Sequence, residues 1–387
     1  MKMKNVLKVC RPVFSVVIAT ALVLGTGYAL ADQPVYIGAI GKADDGPGIY
    51  RMMLDNDGQL SAPEKLAEIA GAGFFGFAPE GDALISISRP PRGSGREGEL
   101  VGFRIDSDGM LTKRGTIRTG GIGPCYVEVS KRGDHALVAH YSSGSVFVAS
   151  LADDGSPTKQ TAFVQHEGSS VHPKRQSGPH AHAIRLDPSG TIAVVPDLGA
   201  DRLFVYRFDP ATGELTPADP PSIKASAPGS GPRHNFFSPD GRFMYLVNEM
   251  TSKVTAYAFD AEDATLKELQ TLSTLPADYE GGNSCSEVRV HPTGQYVFAA
   301  NRGHNSIAAF AINADDGTLT FLEAEPTGGE IPRHFNVTPD GKFVVIANQR
   351  SNTVTVLPFD EEAGELSEAV SSVPLPNPMC VQFPPGN

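Results

Sequence analysis

A turn of the form Pro-x-Gly returns along this chain at nearly even intervals, and no other feature constrains the fold as tightly. It occurs at Pro79-Glu80-Gly81, Pro188-Ser189-Gly190, Pro239-Asp240-Gly241, Pro292-Thr293-Gly294 and Pro339-Asp340-Gly341, with Lys131-Arg132-Gly133 in the vacant place. The glycines lie 52, 57, 51, 53 and 47 residues apart. A second marker, Gly-x-Leu or close to it, ends at Leu60, Leu111, Leu215, Leu266, Leu319 and Leu366, and Asp154-Gly155-Ser156 fills its gap. Two markers in one phase give seven copies of a unit near fifty residues, the mark of a repeat architecture.

One copy reads strand by strand. Asn235 to Ser238 alternates, Pro239-Asp240-Gly241 is a tight turn, and Phe243 to Val247 is apolar and rich in β formers. Lys253 to Phe259 alternates again, and a fourth strand starts at Leu266. No stretch combines helical periodicity with caps. Four strands, seven units and no helices describe an all-β fold: a seven-bladed β-propeller of four-stranded antiparallel blades. Pro378 to Gly386 resembles the start of a repeat, and Val35 to Ile40 the strand that should follow it. The C-terminal strand is therefore expected to join the N-terminal blade and close the ring.

Residues 1–31 stand apart. Lys2, Lys4, Lys8 and Arg11 precede the short apolar run Val13 to Leu24, and Ala29-Leu30-Ala31 fits a small-x-small cleavage site. This reads as a signal peptide cut before Asp32, with residues 32–387 as one propeller domain in the periplasm or secreted. The leader holds four of the 32 Lys/Arg and none of the 44 Asp/Glu, so the remainder stands at −16. That balance argues against nucleic acid or an anionic membrane as partners after cleavage. Cys125, Cys285 and Cys380 fall in three different blades at no zinc-site spacing, and are expected as buried thiols.

The repeat also locates chemistry. Seven residues after the turn glycines stand Ser88, His140, Asp197, Asn248, Asn301 and Asn348, each polar at the end of an apolar strand. Arg89, Tyr141, Leu198, Glu249, Arg302 and Gln349 follow them. The facing strand holds His182 and Ala183, Arg233 and His234, Ser286 and Glu287, Arg333 and His334 at matching positions. Inner strands line a propeller's channel, so these groups should ring one mouth of it. Asp197, Asn248, Asn301 and Asn348 are expected to tie loop backbone. Arg233, Glu249 and Arg302 are candidates for function. His180 and His182 flank one alanine and would share a face of a strand, a possible metal pair on its own. His135, His166, His172, His291 and His304 are assigned to the surface. The loop from Gln165 to Pro179 lengthens its repeat on the same mouth, and its Arg175 could meet an anionic substrate. No Gly-x-Ser-x-Gly elbow appears.

Several of these motifs resemble the bacterial lactonase propeller family: Gly178-Pro179-His180-Ala181-His182, Gly231-Pro232-Arg233-His234, Val247-Asn248-Glu249, Ser286-Glu287-Val288-Arg289 and Asn301-Arg302-Gly303-His304. That family includes 6-phosphogluconolactonases of the seven-bladed type and the fungal carboxymuconate lactonising enzyme. The resemblance implies lactone opening or closing without metal or other cofactor, on a small-molecule lactone. It implies His182 (or His180), Arg233, Glu249 and Arg302 as catalytic residues. His180, Glu287, Arg333, His334 and Arg175 are the expected substrate contacts. Glu249 or His182 would be the general base, with the arginines on the carbonyl oxygen or a substrate carboxylate. Ser88-Arg89 replaces an expected asparagine-glutamate, and His140 an asparagine. The leader suggests a lactone other than a cytosolic phosphorylated one, such as a free aldonolactone. A muconate-type isomerase, a metal-dependent lactonase using Asp197, Glu249, Glu287 and His182, and a non-catalytic binding propeller remain as alternatives.

Overall fold

The computed structural model describes Met1 and residues 32–41, 46–91 and 93–386. The proposed signal peptide lies outside these residues apart from Met1. Among the described residues there is no helix, so none is long and apolar enough to cross a membrane.

Seven antiparallel sheets follow one another along the chain in simple up-and-down order, six of four strands and the seventh with its outer position shared by two short strands, Glu365–Leu366 and Ser371–Pro374. Blade five is typical, with Pro232–Phe237, Phe243–Asn248, Lys253–Asp260 and Thr265–Ser273 running from the inside out. Its second strand is buried along its whole length, as expected for a strand covered on both faces by neighbouring blades. Its turn closes by a Gly241 N–H bond to Ser238 O at 2.9 Å. Gly241 sits there at φ +72°, a conformation that costs glycine nothing and other residues about 1 kcal/mol or more.

The core lies between blades. Tyr245, Val247 and Val254 of blade five pack with Val288, Val297 and Phe310 of blade six. Each such fully buried large apolar side chain contributes about 1.5–3 kcal/mol. The ring closes as expected: Pro378–Gln382 pairs antiparallel with Gln33–Ala39 and is the innermost strand of blade one. Val35 and Ile37 share a cluster with Val345, Val356 and Val381, so apolar packing also seals the seam to blade seven.

The inner strands carry a detail that period-2 reading overlooks. Pairing slips by one residue between Pro124 and Tyr126, between Pro232 and His234, between Cys285 and Val288, and between Pro332 and His334. Each slip is a β-bulge, which re-aims the side chain at the extra residue. Arg233 and its neighbour His234 both line the channel cavity, as do Arg333 and His334. In blade four the distortion goes further. Only Arg185–Leu186 forms a ladder, with an isolated bridge from Ala181 to Asp197. His180 and His182 therefore do not share the face of a regular strand, contrary to the sequence expectation.

The assignment of five histidines to the surface needs correction for three. His135 hydrogen-bonds Asp134 at 3.0 Å and packs edge-on to Phe208. His166 is buried against Phe204 and meets Asp197 at 2.8 Å. His291 bridges to the Gly341 carbonyl of the next blade at 3.1 Å. In each case a polar partner offsets part of the cost of burial, although His166 Nε2 is left without one. Asp197, Asn301 and Asn348 do tie loops: Asp197 Oδ1 accepts from the His180, Gly199 and Ala200 amides at 2.7–3.0 Å, and Asn301 Nδ2 donates to Thr274 O at 2.7 Å and Asn348 Nδ2 to Thr327 O at 3.4 Å, whereas Asn248 Nδ2 donates to the Thr255 hydroxyl of the adjacent strand. The three cysteines among the described residues are free thiols, Cys285 and Cys380 fully buried and Cys125 partly so.

Candidate active site

Glu249 follows the second strand of blade five, and its backbone N–H is fixed to Gly231 O at 2.8 Å. Its carboxylate points into the channel mouth, where three arginines converge on it. Arg175 Nη2 donates to Oε1 at 2.7 Å, Arg233 Nε to Oε2 at 2.9 Å, and Arg302 Nη2 lies 3.1 Å from Oε2. They come from the loop before blade four, the bulge of blade five and the end of a blade six strand. His182 Nε2 stands 3.9 Å from the same oxygen. The repeat register thus brought His182, Arg233, Glu249 and Arg302 to one place, and Arg175 joins them.

The electrostatics follow from this crowding. Burial opposes ionisation of Glu249, but Arg302 and Arg233 outweigh it and hold the carboxyl well below its usual range. Burial and the neighbouring Arg302 bring Arg233 down to about 10 despite Glu249. Burial, then Arg233 and His234, keep His182 neutral well below the ordinary imidazole range. Arg333, in the bulge of blade seven, is lowered by burial and by Arg233 and Arg302. It has no hydrogen-bond or ion-pair partner among the described residues, and Arg302 Nε is likewise an unpaired buried donor. A carboxylate so clamped is a weak base, whereas a neutral imidazole beside it can take a proton.

The other expected contacts divide. Arg175 reaches Tyr141 Oη as well as Glu249, so the long loop is tied down over the mouth. His180 gives its Nδ1 to Tyr141 O at 2.6 Å and stacks on the Tyr141 ring, turned away from Glu249. Glu287 is fully buried and meets other side chains instead of an open cleft, while His334 lines the channel cavity and also meets Glu287. Arg89, set aside in the sequence as a departure, lines the channel cavity with Arg233, Arg333, Cys125 and Phe74. Its position after the +7 residue was the available signal. His234 was placed at the mouth by the register, but its part and that of Arg289 were not assigned, because they depend on the bulge and on partners from other blades.

Among the described residues no three of His, Cys, Asp and Glu converge as metal ligands. Both Glu249 oxygens already accept from guanidinium groups, and a cationic surround disfavours a divalent ion.

The buried imidazoles predict acid lability. His182, His234 and His334 are held well below 6.5, and His140 falls to about 4, burial being the first cause in each. Below about pH 6.5 the unfolded chain takes up protons that the folded one refuses, so stability present above that pH is lost as pH falls. Glu249 adds to the loss at lower pH, while the raised Glu128 opposes it. Thermal denaturation across pH 4–8 should show a midpoint flat above about pH 7 and falling steadily below it. A midpoint that rises on acidification would contradict this assignment.

A ring of seven blades with an acid, a base and several guanidinium groups at one channel mouth defines a propeller of the small-molecule enzyme kind. The chain belongs to the seven-bladed β-propeller lactonase family, whose profile, described as Lactonase, 7-bladed beta-propeller, matches residues 34–383. It is 32% identical to the 6-phosphogluconolactonase of Bacillus subtilis over 90% of this chain and 98% of that one. Among solved structures it is similar to the periplasmic gluconolactonase of Pseudomonas aeruginosa, at TM-score 0.85 and 32% identity, over 91% of this chain and 98% of the other. A putative 6-phosphogluconolactonase from Bacteroides fragilis superposes at TM-score 0.83 and 28% identity, covering 91% and 98%.

Proposed function

We propose that this chain is a lactone hydrolase that opens a sugar lactone at the channel mouth by acid–base chemistry without a metal, after export from the cytoplasm. The observation that carries this reading is the Glu249 carboxylate held by Arg175, Arg233 and Arg302 beside a neutral His182. Hydrolysis of a lactone requires a base for water, donors for the developing oxyanion and a proton for the leaving oxygen. His182 supplies the first and, once protonated, the third. Arg302 Nε, an unpaired buried donor, and the Arg333 guanidinium on the cavity wall would serve the oxyanion and the carboxylate that the reaction creates. Glu249 holds the arginines in place and favours the imidazolium at His182. The names of two similar proteins, a 6-phosphogluconolactonase and a periplasmic gluconolactonase, support the reaction class. The leader and the second of these support the periplasm and a free aldonolactone.

The test is hydrolysis in a pH-stat of gluconolactone, its 6-phosphate and simple γ-lactones by protein recovered from the periplasm, whose N-terminus should be Asp32. Rapid opening of a sugar lactone, unchanged by EDTA, is the expected result. Loss of activity on chelation would move the reading to a metal-dependent site, and no acceleration with any lactone would remove it.

A further inference from the structure

Beneath the mouth lies a second, enclosed cluster that the acid–base reading leaves unused. Glu287 is fully buried at the bulge of blade six. Its Oε1 accepts from the Val288 amide at 3.1 Å and from Arg289 Nη1. Its Oε2 lies 2.9 Å from His234 Nδ1 and 3.0 Å from His334 Nε2. A carboxylate only accepts, so His234 Nδ1 must carry a proton and donate it. The neutral His234 then presents a bare Nε2, which lies 3.2 Å from His182 Nδ1. That nitrogen in turn must donate, which leaves His182 Nε2 without a proton. This is the atom facing Glu249 and the mouth. Aromatic walls hold the middle imidazole: Tyr126 meets the His234 ring edge-on at 5.2 Å and Phe74 at 6.1 Å.

We propose that Glu287 and His234 are positioning residues that set the tautomer of His182, making its Nε2 the proton acceptor of the reaction. The proposal rests on the lactonase reading for its kinetic consequence but not for its structural one. In the step, the water oxygen bonds to the lactone carbonyl carbon and its proton passes to His182 Nε2. The resulting imidazolium keeps its Nδ1–H bond to His234, which keeps its own to the Glu287 carboxylate. Collapse of the tetrahedral intermediate breaks the ring C–O bond, and the same proton goes to the departing alkoxide. His182 returns to the neutral state and the product is a hydroxy acid, which ionises to its carboxylate. The charged and titratable groups facing His182 are Cys125 and Tyr141 from blade three, Arg233, His234 and Glu249 from blade five, and Arg333 from blade seven. The Arg233 and Arg333 cations disfavour the imidazolium, so the chain through His234 to Glu287 and the Glu249 carboxylate are what make the transient charge tolerable.

Two measurements test this separately from the lactonase reading. Nitrogen-15 NMR of the full mature chain with labelled histidine should show His182 and His234 both protonated at Nδ1, with assignments from His182→Gln and His234→Gln. Finding the proton of His182 on Nε2 overturns the proposal whatever the enzyme acts on. In Glu287→Gln the side-chain amide can donate to His234 Nδ1, which reverses both tautomers and blocks His182 Nε2. On whichever lactone the wild type opens, kcat should then fall about 10²-fold or more with KM little changed, as a wrong tautomer does in other imidazole-dependent hydrolases. Glu287→Asp should recover part of the rate. Wild-type kcat in a folded Glu287→Gln variant overturns the proposal. If that variant does not fold, the wild-type NMR result decides.

Discussion

Replacing His182 with glutamine should lower kcat for lactone opening by about 10²–10⁴-fold while leaving the protein folded. The side chain has no net charge to strand, and losing its hydrogen bond to His234 costs about 1 kcal/mol, a small part of the stability of a large ring. His180→Gln is the matched control. His180 gives its Nδ1 to the Tyr141 carbonyl and stacks on that ring, so its loss should reduce kcat by less than about tenfold. Steady-state kinetics of the two variants on one lactone decide between the histidines. Equal large losses would show that both nitrogens reach the reacting atoms, and a small loss in His182→Gln would remove His182 as the base.

Replacing Glu249 with glutamine should damage stability and activity together. Arg233 is deeply buried, Arg302 mostly so, and both converge on one oxygen. Without the carboxylate their charges stand unpaired beside each other, an arrangement that costs about 3–5 kcal/mol when one partner of a buried pair is removed. Arg175, more exposed, adds little to that figure because solvent screens it. Activity should fall by about 10²–10³-fold as the arginines lose their alignment on the oxyanion. Chemical denaturation reports the first effect and kcat the second. A variant of unchanged stability would mean that the arginines find other partners and that Glu249 is not their anchor. This outcome differs in kind from that of His182→Gln, where chemistry is lost and stability kept.

The sequence carried the fold because a propeller repeats one local solution. The Pro-x-Gly turn, the apolar second strand and the polar residue closing it are each short-range features, so Phe243 to Val247 could be read without knowing its neighbours. The same register found Arg233, Glu249 and Arg302, since each occupies a fixed place in its own blade. What the register could not carry was anything decided between blades. His166 and His291 read as surface residues because their partners, Asp197 and the Gly341 carbonyl, arrive from distant positions. The step that aims Arg233 and His234 into one channel is a one-residue slip in pairing, and alternation along a strand gives no sign of it. Glu287 was legible as a channel residue but not as an enclosed one, because its cover is built from Arg289, His234 and His334 on three adjacent inner strands.

The seam of the ring sets an order in time. Gly38 pairs with Cys380, so two ends of a long chain must find each other before blade one is complete. The entropy of closing so large a loop grows only with the logarithm of its length, yet contacts this distant form slowly. The strand that arrives last also reaches the polar interior: the Val381 amide lies 3.2 Å from His334 Nδ1, and Met379 lines the channel cavity. Until Pro378–Gln382 docks, His334 lacks that neighbour and the cluster around Glu287 is open on one side. The polar interior beneath the mouth is therefore completed only when the circle is shut, and a chain without this strand would hold most of its blades and none of its completed interior.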